Sequence, residues 1–211
     1  MDRNKPVIIA WLAIILGIAR SMPAVAGNGS VGRDIESYVQ RCEAALECSG
    51  SYLVAQHGKI IVHKAVGQVS VDGTKPMTTD TAFDVGSISK QFTAAAIVRI
   101  AEQHRLSLDD SAERFLPGFP YPSITIRQLM NQTSGLPDMM PYYTKQILSG
   151  KAKRSIDLSD IVDVLKASNQ PLVTRPGAAF AYSNTGYTLL GKIVEKTSGK
   201  SYASFLHDEF F

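Results

Sequence analysis

Histidine and cysteine are scarce in this chain, four of the first and two of the second in 211 residues. Cys42 and Cys48 form no CxxC pair, and no histidine cluster accompanies them, so no metal site of the zinc type is written here. His57 and His63 fall in a glycine-bearing turn and an alternating strand, where an exposed imidazole needs no chemical role. Basic runs are lacking too, since no Lys/Arg-rich stretch is interleaved with aromatic residues. Arg3, Lys5 and Arg20 against Asp2 account for +2 of the net +3, which leaves the remaining residues nearly neutral. That balance excludes nucleic acid and polybasic membrane binding as partners. Apolar runs of membrane-spanning length are missing as well. The apolar stretch Val7 to Ile18 holds 12 residues before Arg20, short of the roughly 18–20 that a bilayer requires. Repeats and low-complexity tracts are absent. The length and 45% apolar content fit one domain, or part of one, with a real core.

What the N-terminus does contain is the pattern of a secretory signal peptide over residues 1–26. Arg3 and Lys5 form a basic head, Val7 to Ile18 the apolar stretch, and Ala24-Val25-Ala26 a small-residue cleavage site before Gly27. The expected location is secreted or periplasmic, with no stable membrane span after cleavage. An oxidising compartment favours pairing Cys42 with Cys48. Along one continuous helix their Cα atoms would lie about 9 Å apart, beyond disulfide reach. Pairing therefore requires the helix that starts near Asp34 to end by about Leu46, and the sequence leaves both outcomes open.

Residues 51–69 read as a β-hairpin, Ser51 to Gln56 and Ile60 to Val69 around His57-Gly58-Lys59. Asp72 to Asp84 is a polar connection. A helix is expected from Ser87 to Arg105, apolar around most of its circumference between Phe92 and Val98 and so buried inside the domain. Thr125-Ile126-Arg127-Gln128 fits a capping box, with Gly135 as the stop. Pro137 and Pro141 predict a loop. An amphipathic helix follows over 158–168, then a turn from Pro171 to Gly177 and an extended piece from Phe180 to Tyr182. Asn184 to Thr197 forms a helix ended by Gly199, and Ser201 caps a last helix.

Chemistry concentrates at two places. In Ser87-Ile88-Ser89-Lys90, a hydroxyl and an amine stand three residues apart on one helical face. A serine becomes a useful nucleophile only when a neighbour removes its proton, and a lysine can do so when burial disfavours its charge. At the helix start, backbone N–H groups favour a developing oxyanion, and Gly86 permits close approach of a substrate. Tyr182-Ser183-Asn184 supplies a phenol and an amide. Spacing alone decides little, because about one SxxK is expected by chance in this composition. Context decides instead.

The run Phe83 to Thr93, containing Gly86-Ser87-Ile88-Ser89-Lys90, resembles the nucleophile segment of the serine β-lactamase-related family, which includes class C β-lactamases, penicillin-binding proteins and β-lactamase-fold esterases. Leu106 to Asp110, Phe115-Leu116-Pro117, Thr133-Ser134-Gly135-Leu136-Pro137 and Tyr182 to Tyr187 continue the likeness in order. It covers about residues 51–211. The resemblance implies an α+β fold of β-lactamase/transpeptidase type, a helical region plus the N-terminal strands of an antiparallel sheet. The domain over 27–211 is expected to lack its C-terminal strands. Ser87 is implied as the acylated nucleophile and Lys90 as its proton acceptor or relay. Tyr182 would be the partner base or the acid for the leaving group, and Asn184 would position substrate and lysine. Neither a cofactor nor a metal is implied.

Two departures from the family pattern stand out. Asn131-Gln132 occupies the place where Thr-His is common, and no Lys-Thr-Gly or His-x-Gly strand follows. Lys196-Thr197-Ser198-Gly199 ends a helix and does not supply that strand. Two readings follow. One is an exported serine hydrolase acting on β-lactams, D-alanyl peptides or small esters. The other is an impaired remnant, or a module that binds peptidoglycan-like or β-lactam ligands without turnover.

Overall fold

The computed structural model describes residues 28–45, 48–70, 73–150 and 161–211. The expected signal peptide, residues 1–26, lies outside them, as does the start of the helix expected over 158–168. The chain divides into two compact units, one ending at Asp84 and the other spanning Val85–Phe211.

The first unit is a helix packed on a hairpin. Helix α1 (Asn28–Ala44) turns Val31, Ile35 and Val39 inward at four-residue intervals. Strands β1 (Gly50–Gln56) and β2 (Lys59–Val66) pair antiparallel, with Gln56 opposite Lys59 and a bulge between Val54 and Ala55. His57 and Gly58 both take positive φ, 50° and 75°, the geometry that a two-residue hairpin turn demands. Val62 and Val66 face inward while His63 is exposed. The second strand ends at Val66 rather than Val69, because Gly67 (φ 83°) breaks the extended run and Val69 N–H donates to Lys75 in a separate loop. Since α1 ends at Ala44, Cys42 and Cys48 come within 5.3 Å of each other (Cα–Cα) and form a disulfide. Glu43 Oε1 accepts from Gly67 N–H at 3.2 Å nearby.

The second unit is helical: α2 (Ser89–Glu102), α3 (Ile126–Met130), α4 (Met140–Leu148), α5 (Ile161–Ser168), α6 (Asn184–Ser198) and α7 (Tyr202–Phe210). A 3-10 turn, Gly86–Ile88, leads into α2. Thr93, Ala96, Ile97 and Ile100 of α2 are buried, while Val98 is 40% exposed. Contrary to expectation, α2 is therefore buried along one face only. Its inward stripe joins Leu189, Leu190, Ile193 and Val194 of α6 in a single core that also includes Leu129, Leu165 and Phe205. Each such Leu or Ile contributes about 1.5–3 kcal/mol, more than the roughly 0.5–1.5 kcal/mol net of a typical hydrogen bond. Apolar burial thus decides how α2 and α6 pair, and the polar groups at their ends are carried into place by it.

The helix termini follow their sequence signals in most places. Thr125 and Gln128 form the reciprocal capping box, Gly199 closes α6 at φ 75°, and Ser201 Oγ accepts from Ser204 N–H to cap α7. Two expectations need correction. Pro141 does not enforce a loop, because it sits in the first turn of α4, where a missing N–H costs nothing. Gly135 does not stop α3, which already ends at Met130. It allows the 173–174 segment to cross, since a Cβ there would collide with the Thr174 carbonyl oxygen, and Val173 N–H donates to Gly135 O at 2.8 Å.

We predict that alkylation of the native chain labels neither cysteine, and that both become labelled after reduction under denaturing conditions. Opening this short loop should lower the stability of the unit by about 2 kcal/mol on the loop-entropy relation, measurable as a shift in the denaturant midpoint.

Candidate active site

Four side chains from two distant stretches meet at one point in the second unit. Lys90, in the first turn of α2, donates from Nζ to Ser87 Oγ at 3.0 Å and to Asn184 Oδ1 at 2.7 Å. Ser87 Oγ lies 2.7 Å from Tyr182 Oη, and the phenol reaches Asn184 Oδ1 at 3.3 Å. Ser87 stands in the 3-10 turn ahead of α2 and is the N-cap of neither, those positions being Val85 and Ile88. The role of local helix cap is therefore not what occupies it. Ser89 Oγ instead turns back to Gly86 O at 2.6 Å. Gly86 takes φ +50°, and the space a Cβ would fill there is open.

The proton arrangement follows from donor counting. Lys90 can only donate. A phenol has one proton. When Tyr182 gives it to Asn184, Tyr182 Oη is left to accept the hydroxyl proton of Ser87. Hydrogen bonding from the Lys90 ammonium, and next from Ser87, holds the Tyr182 phenol below the ordinary tyrosine range. Burial and the negative charge of Asp138 oppose that depression. Lys90 Nζ also lies 5.1 Å from the ring centre of Tyr182 and 5.7 Å from that of Tyr187, within cation–π range of both. Tyr187 is held neutral, since burial first and the neighbouring Tyr182 second raise its titration. Its hydroxyl donates to Met130 O at 2.9 Å.

Tyr182 and Asn184 reach the site because two loops are laced together. Gly177 N–H donates to Thr133 O and Ala181 N–H to Gln132 O, each at 2.8 Å. Ser183 N–H donates to the Gln132 side-chain oxygen at 2.8 Å. Gln132 is buried and takes φ +59°, so one residue grips both flanks of Tyr182. At the position that departs from the common Thr-His pattern, glutamine supplies the acceptor that Ser183 N–H requires. Three further contacts run in register: Ser183 Oγ to Pro137 O at 3.3 Å, Asn184 Nδ2 to Asp138 Oδ2 at 2.8 Å, and Met139 N–H to Thr185 Oγ1 at 2.8 Å.

All four residues singled out from the sequence, Ser87, Lys90, Tyr182 and Asn184, are thus brought together. Gln132, Asp138 and Tyr187 were not foreseen. Asp138 directly follows Leu136-Pro137, so the motif was visible although its terminal carboxylate carried no separate signal. Lys196 to Gly199 closes α6 and lies in no strand. Among the described residues no group of three or more His, Cys, Asp or Glu side chains is placed to hold a metal ion.

Residues 37–211 match the Beta-lactamase family, and the chain belongs to it. Penicillin-binding protein 4* of Bacillus subtilis (strain 168) is 40% identical over 163 residues, covering 77% of this chain and 36% of that protein. Among solved structures, EstCE1, described as a hydrolase with promiscuous acyltransferase activity, superposes with a TM-score of 0.74 at 28% identity, covering 87% of this chain and 51% of that one. A penicillin-binding protein from Bacillus halodurans gives a TM-score of 0.70 at 27% identity, with 81% and 52% covered. These neighbours share the β-lactamase/transpeptidase fold, of which this chain holds a helical part and a two-stranded antiparallel sheet. The chain spans about a third of the length of the curated relatives it matches.

Two predictions test the geometry. In Lys90→Met the Tyr182 phenol loses the largest cause of its depression, so its titration should move up toward the ordinary range near 10. NMR of ring-labelled tyrosine reads this directly. Gln132→Leu leaves the buried Ser183 N–H without its acceptor and should cost about 1–3 kcal/mol in chemical denaturation.

Proposed function

We propose that this chain carries the acylation centre of an exported serine hydrolase. The closed contact set of Ser87 with Lys90, Tyr182 and Asn184 carries the reading. Ser87 Oγ attacks the carbonyl carbon of a β-lactam, a D-alanyl peptide or a small ester, and its proton passes to Tyr182. The ammonium of Lys90 stabilises the phenolate form of Tyr182, which accepts this proton and becomes the neutral phenol, and this makes the two residues one coupled base. Collapse of the tetrahedral adduct breaks the bond to the leaving nitrogen or oxygen, which takes the proton back from Tyr182. The acyl group then rests on Ser87 Oγ until water releases it. Asn184 accepts from both proton-handling groups and fixes their directions. The names of the relatives, penicillin-binding proteins and a hydrolase with acyltransferase activity, support acyl transfer as the reaction class. The signal pattern over residues 1–26 and the Cys42–Cys48 disulfide support export.

A second reading, which the same contact set also permits, is a binder that is acylated without efficient turnover. Intact-mass measurement after incubation with benzylpenicillin and with p-nitrophenyl acetate separates the readings. A Ser87-dependent adduct that disappears with time indicates hydrolysis. One that persists indicates binding by acylation alone. Lys90→Met should slow adduct formation by about 10²–10⁴. A folded chain that forms no adduct with either reagent refutes the acylation centre.

A further inference from the structure

We infer that Asp138 is a positioning residue for this centre: its carboxylate fixes the Asn184 side-chain amide so that Oδ1, and not Nδ2, faces Lys90 and Tyr182. The inference rests on the acyl-transfer reading of the site. An amide has two ends of nearly equal shape and opposite hydrogen-bonding sense. Lys90 Nζ, a pure donor 2.7 Å from Asn184, and the Tyr182 hydroxyl, 3.3 Å away, both need the oxygen end. At the other end the Asp138 carboxylate accepts from Asn184 Nδ2 at 2.8 Å. A carboxylate offers acceptors alone, so it admits just one orientation of the amide.

Asp138 is itself held. Its second oxygen accepts from Met140 N–H at 3.0 Å in the first turn of α4. The flanking pairs Ser183–Pro137 and Thr185–Met139 lock the register on either side. Both carboxylate oxygens are therefore engaged as acceptors. An asparagine at this position could satisfy one of the two N–H groups but not both, since its nitrogen would meet the other donor. A residue whose only duty was to start α4 would need one oxygen. The second is directed at Asn184.

The test compares the 211-residue chain with Asp138→Ser, Asn184→Ala and the double variant, reading the rate of Ser87 acylation by p-nitrophenyl acetate. Asp138→Ser retains an oxygen that can cap Met140 N–H but removes the one that faces Asn184, and it should slow acylation by about 10–100-fold, the range expected when a reacting group is misplaced. The double variant should be no slower than Asn184→Ala, because Asp138 acts through Asn184. Losses that multiply, or an unchanged rate in Asp138→Ser, overturn the inference. A second measurement does not depend on turnover. In the 15N-correlated NMR spectrum, the Asn184 side-chain NH2 should show a downfield hydrogen-bonded proton that moves to the free-amide position in Asp138→Ser. An unmoved signal overturns the role of Asp138 even if the chain acylates. If the parent chain does not acylate, the functional reading fails and this signal alone decides the orientation. Asp138→Thr keeps the same capping hydroxyl and serves the same comparison should Asp138→Ser unfold.

Discussion

The ammonium of Lys90 is the group around which this structure is arranged. It donates to a hydroxyl on its own helix turn and to an amide oxygen 94 residues away. It also lies near the faces of two tyrosine rings. A cation drawn out of bulk water needs acceptors and π density around it, and every neighbour named here supplies one or the other. Without Lys90, Ser87 and Tyr182 would form an ordinary hydroxyl–phenol contact. With it, the phenol is biased toward its anion.

Nothing polar at the site is strong enough to bring residues 87–90 and 182–184 together. The apolar stripes of α2 and α6 do that, and the site forms where the N-terminal ends of both helices arrive. The segment before α6 would still be free to swing, and the loop 132–139 removes that freedom. It grips the backbone at Ala181 and Ser183 and the side chains at 183, 184 and 185. Core burial sets the coarse geometry, and a short hydrogen-bonded lacing fixes the segment before α6.

Much of this was legible in the residues themselves. Capping signals at Thr125, Gly199 and Ser201 placed helix ends correctly, because a cap is a local interaction among near neighbours. The hairpin turn at His57-Gly58 was local too. Ser87, Lys90, Tyr182 and Asn184 were recoverable because their motif context is specific, although their mutual distances were not. What escaped was non-local or depended on position within a turn. Pro141 reads as a breaker until its place in a first turn is known. Gly135 reads as a helix stop, whereas its reason is a backbone that crosses from residue 174. Gln132 stands out only as a departure from the family pattern and Asp138 carries no signal of its own, since their partners lie 51 and 46 residues further along.

The sequence of charges across the centre explains why an amide, and not a carboxylate, touches Lys90. A direct Lys–Asp pair would satisfy the ammonium more strongly, but it would occupy its donors and draw Nζ away from Ser87. Placing Asn184 between them keeps Asp138 one residue removed from the cation. The amide oxygen turned toward Lys90 is matched by an amide nitrogen turned toward Asp138, so the two charges compensate each other across a neutral dipole. Lys90 thereby remains directed at the hydroxyl oxygen, 3.0 Å away. The negative charge of Asp138 works against ionisation of Tyr182, and at this remove it does so less strongly than the Lys90 ammonium favours it. That ordering, cation near and anion far, is the electrostatic condition for the proton relay proposed for Tyr182, which works only if its phenolate is within reach.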